Sequence, residues 1–179
     1  MDVYEAVQKR KSIRNYERTP VPKVSLLRIL EAGRIAPSAA NRQPWHFIVV
    51  TEAEKRKELS KGMFAKFLVD VPVVIVACGD EKASADWYAV DVSLAVENMI
   101  LAATAEGLST CCVGSFSEEN VKKALGIPEN LSVVLMLAVG FPKDKESFMR
   151  KVARFAAGRR KKLEEVVSLE MYGKKLEGD

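Results

Sequence analysis

The chain has 179 residues, 48% of them apolar, and a formal charge of +4. That length supports one compact core, and a second full domain would be unusually small. The mild positive charge admits an anionic ligand but excludes the strong basic bias of a dedicated nucleic-acid binder.

Val3, Ala6 and Val7 recur at helical spacing behind Asp2, a ready N-cap. The stretch KRKSIRNY (9–16) follows, with Lys9, Arg10, Lys11 and Arg14 around a single apolar side chain before Tyr16. Cations there offset a helix dipole, and they equally suit a bound anion such as phosphate. A second helix is expected from near Pro22 to before Pro37, carrying Leu26, Leu27, Leu30 and Ile35. APSAANRQPWHF (36–47) then joins it to a strand at 46–51 through small and hydrogen-bonding residues. Its composition fits a helix stop followed by a polar loop, and equally a loop that meets a flat heterocycle edged with donors and acceptors. A solvated helix ending at Gly62 precedes PVVIVACG (72–79), whose nearly continuous apolar run predicts a strand covered on both faces.

Residues 86–107 predict the longest helix, about 33 Å at 1.5 Å per residue. It is apolar nearly all round, as expected of a helix central in the core or covered by a partner subunit. A strand at 109–114, a short helix capped by Ser117, and a buried strand at 131–140 complete the order. The sum is an α+β, three-layer α-β-α arrangement. The last stretch, 143–179, is a basic extension too poor in apolar residues for a core of its own, expected to dock on the sheet or a partner subunit.

Cys78, Cys111 and Cys112 form no CxxC pair, and His46 is the only histidine, so no metal site is expected. Buried, reduced thiols are the simpler reading. The N-terminus lacks a signal-peptide core, and Asp91, Glu97 and Asn98 interrupt the longest apolar region, so a cytoplasmic protein with no membrane span is expected. Neither a Gly-x-Gly-x-x-Gly motif, a P-loop nor a Gly-x-Ser-x-Gly elbow occurs.

Taken together, Arg10-Lys11-Ser12-Ile13-Arg14-Asn15-Tyr16, the Ala36-Pro37-Ser38-Ala39 run with Asn41, Gln43, Pro44 and Trp45, Gly114-Ser115-Phe116, and Gly140-Phe141-Pro142 resemble the nitroreductase family of flavoproteins. The resemblance runs in order over residues 1–173 and includes the long helix and the strand after it. It implies a central mixed sheet, a long helix at a homodimer interface, and FMN bound between subunits. Arg10 and Ser12 would hold the phosphate, with Lys11 contributing backbone, and Arg14 would reach the pyrimidine edge. Pro37, Ser38, Ala39 and Asn41 would come from the partner, with Gln43 supporting the loop. Gly114 and Ser115 would lie at the central ring, one backbone N–H near N5. From the basic tail, Arg160 or Arg159 would add a phosphate ligand.

The implied activity is NAD(P)H-dependent: NADH or NADPH gives hydride to flavin N5, and a nitroaromatic or quinone-like acceptor takes the electrons by a ping-pong mechanism. No side-chain acid or base is called for. The resemblance also admits non-reductase flavin chemistry or a sensing or storage role. A basic polyanion-binding module is the remaining rival, and it leaves the Pro-Ser-Ala-Ala-Asn loop unexplained. Phe64 and Phe67 stand in 61–70, where the family offers polar flavin contacts, so the resemblance assigns none there.

Overall fold

A computed structural model of the chain describes residues 1–143 and 160–176, in two compact units, Met1–Lys143 and Asp144–Asp179. The first unit opens with α1 (Val3–Lys9), started by a capping box. Asp2 Oδ1 accepts from the Glu5 N–H at 2.8 Å, and the Glu5 carboxylate accepts from the Asp2 N–H at 3.3 Å. α2 (Lys23–Arg34) begins directly after Pro22, whose fixed φ suits a helix start.

Four strands follow, β1 (Trp45–Val50), β2 (Val73–Asp80), β3 (Ser109–Val113) and β4 (Leu131–Gly140). They lie in the order β1-β2-β4-β3, with every neighbouring pair antiparallel. The mixed sheet expected above is therefore antiparallel in its four strands, and its parallel element is one isolated bridge between Ser12 and Thr110. The connections explain this. After β1 the chain runs out through α3 (Ala53–Leu59) and back through a 3-10 turn at Lys66–Val69, so β2 begins where β1 stops, with Val50 opposite Val74.

β2 is buried from Val73 to Gly79, as its continuous apolar run requires. Alternate residues feed two cores. Val74, Val76 and Cys78 pack with Leu59 of α3 and with Val121 of α5 (Glu118–Leu125), whereas Val73, Ile75 and Ala77 face α2 and α4 (Tyr88–Ala105). These are the three layers. α4 turns Val92, Val96, Met99 and Ala103 into the core, each fully buried Val or Met contributing about 1.5–3 kcal/mol. Gly33 of α2 lets the two helices approach, since a methyl there would collide with Met99. The other side of α4 leaves Val90 and Leu94 exposed at 47% and 44%. Long and apolar enough by composition to cross a membrane, α4 instead packs one face on the sheet.

The described part of the second unit holds a 3-10 turn at Leu163–Glu165 and a turn in which the Lys174 N–H donates to Met171 O at 3.0 Å. Leu163, Val166, Met171 and Tyr172 are exposed.

Candidate functional site

Past α1 the chain becomes extended at Arg10, and the Ile13 N–H donates to Thr110 O at 3.0 Å, beside the Ser12–Thr110 bridge. This covers part of the outer edge of β3, which would otherwise present unpaired backbone groups. Ile13 and Tyr16 turn inward, 5% and 3% exposed, while Lys11, Ser12 and Arg14 face out and Arg10 is half-buried. Lys9 pairs with Glu5 at 3.9 Å. Arg10, Lys11 and Arg14 pair with no carboxylate among the described residues, in contrast to Arg18, Arg28 and Arg34, each of which has one.

Two cysteines of β3 follow the Ser12–Thr110 bridge. Burial pushes the Cys111 thiol up, and Arg14 opposes the shift. Cys112 lies exposed yet crowded by neighbouring protein, and that desolvation raises its thiol against the pull of Arg10. Successive strand residues point to opposite faces, so Cys111 turns into the core and Cys112 away from it. The same alternation corrects the expectation of three buried thiols: Cys78 and Cys111 are buried and Cys112 is not. Burial also raises Cys78, to about 11. Tyr16 is held far above its ordinary range, first by burial and then by nearby Cys111, and its ring stacks on Phe67 with centroids 6.3 Å apart.

Gly114 and Ser115 lie just beyond the C-terminal end of β3, about 13 Å from Thr110 at 3.3 Å per residue. Gly114 is exposed, and a Cβ there would meet nothing within 4 Å. A flat group could therefore lie against this backbone. Ser115 is braced from below: a Cβ on Gly62 would collide with the Ser115 carbonyl oxygen. Gly62 thus is not the stop of α3, which ends at Leu59, but the point where 61–70 presses on this turn. The two phenylalanines of that segment divide, Phe67 packing on Tyr16 while Phe64 is 68% exposed, next in sequence to Met63 at 76%.

The connection Ala36–Pro44 forms a strained loop. Ala40, Asn41 and Gln43 have φ of 48°, 54° and 47°, a region that costs roughly 1–2 kcal/mol for a residue with a Cβ. Inside it, the Gln43 N–H donates to Ser38 Oγ at 3.0 Å, and Gln43 Nε2 donates to Asn41 O at 3.2 Å. From outside, Asp91 Oδ1 accepts from the Ala39 N–H at 3.0 Å. Pro37, Asn41 and Gln43 are exposed, with Ser38 and Ala39 half-buried. The loop enters β1, one edge of the sheet, whereas Ser12 bridges to β3 and Gly114 directly follows it, at the other edge. Three strand spacings separate those edges, about 14 Å. Within one chain, the Ser12 and Gly114 groups share the β3 edge, and the Pro37–Gln43 group stands apart.

Arg160 is exposed in the second unit, and Arg159 lies outside the described residues. His46 is exposed on β1, as a surface strand residue. Sequence reasoning missed two contributors, Gly62 and Asp91. Gly62 was concealed because a glycine after a helical pattern reads as a stop. Asp91 was concealed because one carboxylate in an apolar helix reads only as an interruption.

An antiparallel α+β sheet with helices on both faces, a cationic edge segment and an open glycine turn define the class. The chain belongs to the nitroreductase family, whose model matches residues 7–70 and 60–141. An Archaeoglobus fulgidus protein, provisionally named an NADH dehydrogenase/NAD(P)H nitroreductase, is 39% identical over 154 residues, covering 82% of this chain and 88% of its own. A nitroreductase family protein from Clostridium difficile 630 superposes with a TM-score of 0.81 at 31% identity, over 96% of this chain and 99% of that one. An oxidized iodotyrosine deiodinase crystallised with FMN and 3-iodo-L-tyrosine shares the fold, with a TM-score of 0.72 at 23% identity over 82% and 92% of the two chains.

Proposed function

We propose that this protein is an FMN-dependent oxidoreductase that takes hydride from NADH or NADPH and reduces an electron-poor acceptor, nitroaromatic or quinone-like, with ping-pong kinetics. The observation that carries the reading is the cluster of Arg10, Lys11 and Arg14 around Ser12, without carboxylate partners among the described residues. Forked guanidinium donors beside a hydroxyl fit a phosphate ester. The open backbone at Gly114 fits a flat ring system.

In this reading Arg10 and Ser12 hold the phosphate with backbone help from Lys11, and Arg160 or Arg159 completes its charge balance from the basic extension. Arg14 faces the pyrimidine edge, and Gly114 and Ser115 offer backbone against the central ring. Pro37, Ser38, Ala39, Asn41 and Gln43 come from a second copy of the chain, which the separation of the two sheet edges supports. That copy would cover the exposed Val90 and Leu94 of α4. FMN bound there supplies hydride acceptance and electron donation to the acceptor, so the protein's part is binding, orientation and electrostatics. A cation near the pyrimidine edge stabilises the negative charge that reduction brings.

The test is anaerobic mixing of the FMN-loaded protein with NADH and with NADPH, followed by a panel of nitroaromatics and quinones. Bleaching of the flavin absorbance by one nicotinamide and its recovery on adding an acceptor are expected. A protein that takes up no FMN, or whose bound flavin neither nicotinamide bleaches, contradicts the proposal.

A further inference from the structure

Asp91 is 2% exposed, a carboxylate in the first turn of α4, and it forms no ion pair with a described residue. Its two oxygens are used separately. Oδ1 accepts from the Ala39 N–H at 3.0 Å, and Oδ2 accepts from the Ser84 hydroxyl at 3.3 Å. Ser84 is itself 1% exposed, and its carbonyl accepts from the Tyr88 N–H at 2.8 Å. One buried side chain therefore joins three pieces of chain: the strained loop before β1, the turn after β2, and the start of α4. The positive end of the α4 dipole and the two hydrogen bonds compensate its carboxylate.

The loop needs such an anchor. Its three positive-φ residues store strain that persists only when surrounding contacts over-determine the backbone. The two bonds that Gln43 donates, to Ser38 Oγ and to Asn41 O, are internal to the loop and cannot fix it relative to the sheet. The bond to Asp91 can, because α4 is packed on the sheet through Val92 and Val96. Asp91 also sits on the helix whose exposed face carries Val90 and Leu94.

We infer that Asp91 is a positioning residue for the flavin site: its buried carboxylate locks the Pro37–Gln43 loop to the start of α4, in the conformation that the partner's flavin meets. This rests on the FMN reading above. The carboxylate acts through the Ala39 N–H.

The experiment compares Asp91→Asn with Asp91→Ala in three readouts: hydrogen exchange of the peptide spanning 36–44 without flavin, FMN affinity by fluorescence quenching, and the visible circular dichroism of bound flavin. Asparagine keeps an oxygen for the Ala39 N–H, and the Ser84 hydroxyl can turn to accept from its amide. Asp91→Asn is therefore expected within about threefold of wild type, and Asp91→Ala about tenfold weaker for FMN, with faster loop exchange and altered dichroism. Should Asp91→Ala fail to fold, Asp91→Ser takes its place, polar but too short to reach Ala39. Wild-type exchange, affinity and dichroism in a folded Ala or Ser variant overturn the inference while leaving the FMN reading intact. So does an Asp91→Asn as impaired as Asp91→Ala. A wild-type protein that binds no FMN overturns both.

Discussion

Lys9 and Arg10 are neighbours in sequence and differ in what they face. Lys9 is the last residue of α1 and closes an i, i+4 pair with Glu5, worth only about 0.2–1 kcal/mol at an exposed position. Arg10 begins the extended segment and has no such partner among the described residues. Replacing Arg10 or Ser12 by alanine is therefore expected to cost about 1.5–3 kcal/mol of FMN binding for each lost charge-assisted contact, while Lys9→Ala changes it little. Titration of the three apo variants with FMN checks this, and equal affinities in all three would contradict it. Gly114 and Gly62 make a second contrast. Gly114→Ala adds a methyl in open space, so thermal stability stays within about 0.5 kcal/mol of wild type while FMN binding weakens. Gly62→Ala drives a methyl into the Ser115 carbonyl, and overpacking of that kind is expected to cost about 1–3 kcal/mol in denaturant unfolding.

Among the elements, α2 and α4 are joined by more than apolar packing. The Glu106 carboxylate, next to the last residue of α4, accepts from Arg28 Nη1 at 2.9 Å and from Ser25 Oγ at 2.8 Å. The Arg28 bond first, and the Ser25 bond second, hold its carboxyl below the ordinary range. A depressed folded value means that this contribution is fully present above the ordinary carboxylate range and is lost as pH falls through the folded value. Denaturant midpoints measured between about pH 6 and pH 3 should fall less steeply for Glu106→Gln than for wild type; parallel profiles would show that the clamp adds nothing. The elements themselves were largely legible in the sequence. β2 announced itself because both its faces are covered, so Val73 to Gly79 are uniformly buried. α1 was marked by Asp2, and the short helix α5 by Ser117. What stayed hidden was non-local: strand direction, which depends on how α3 and the following turn double back, and the pressing of Gly62 on Ser115. The positive φ of Ala40 has no residue signal at all, because alanine does not favour that region.

At the scale of the whole molecule, the sheet order separates two groups of candidate ligands by its full width. Motif order along the chain groups the candidate residues but does not say which edge carries them; a site shared between copies was implied by resemblance, and the separation of the two edges is what the proposal adds to it. Two copies related by a two-fold axis would each lend a loop to the other's β3 edge. Arg10→Ala/Ser12→Ala damages the phosphate side, and Ala39→Glu blocks the loop side, so either homodimer alone should retain little flavin. The most direct measurement is the FMN bound per chain after the two variants are unfolded, mixed in equal amounts and refolded together. In a mixed dimer both lesions fall on one site and leave the other intact, so random pairing should restore about a quarter of wild-type binding. Binding no higher than the average of the separate variants, in a mixture proven to contain mixed dimers, would contradict a flavin site built from both copies.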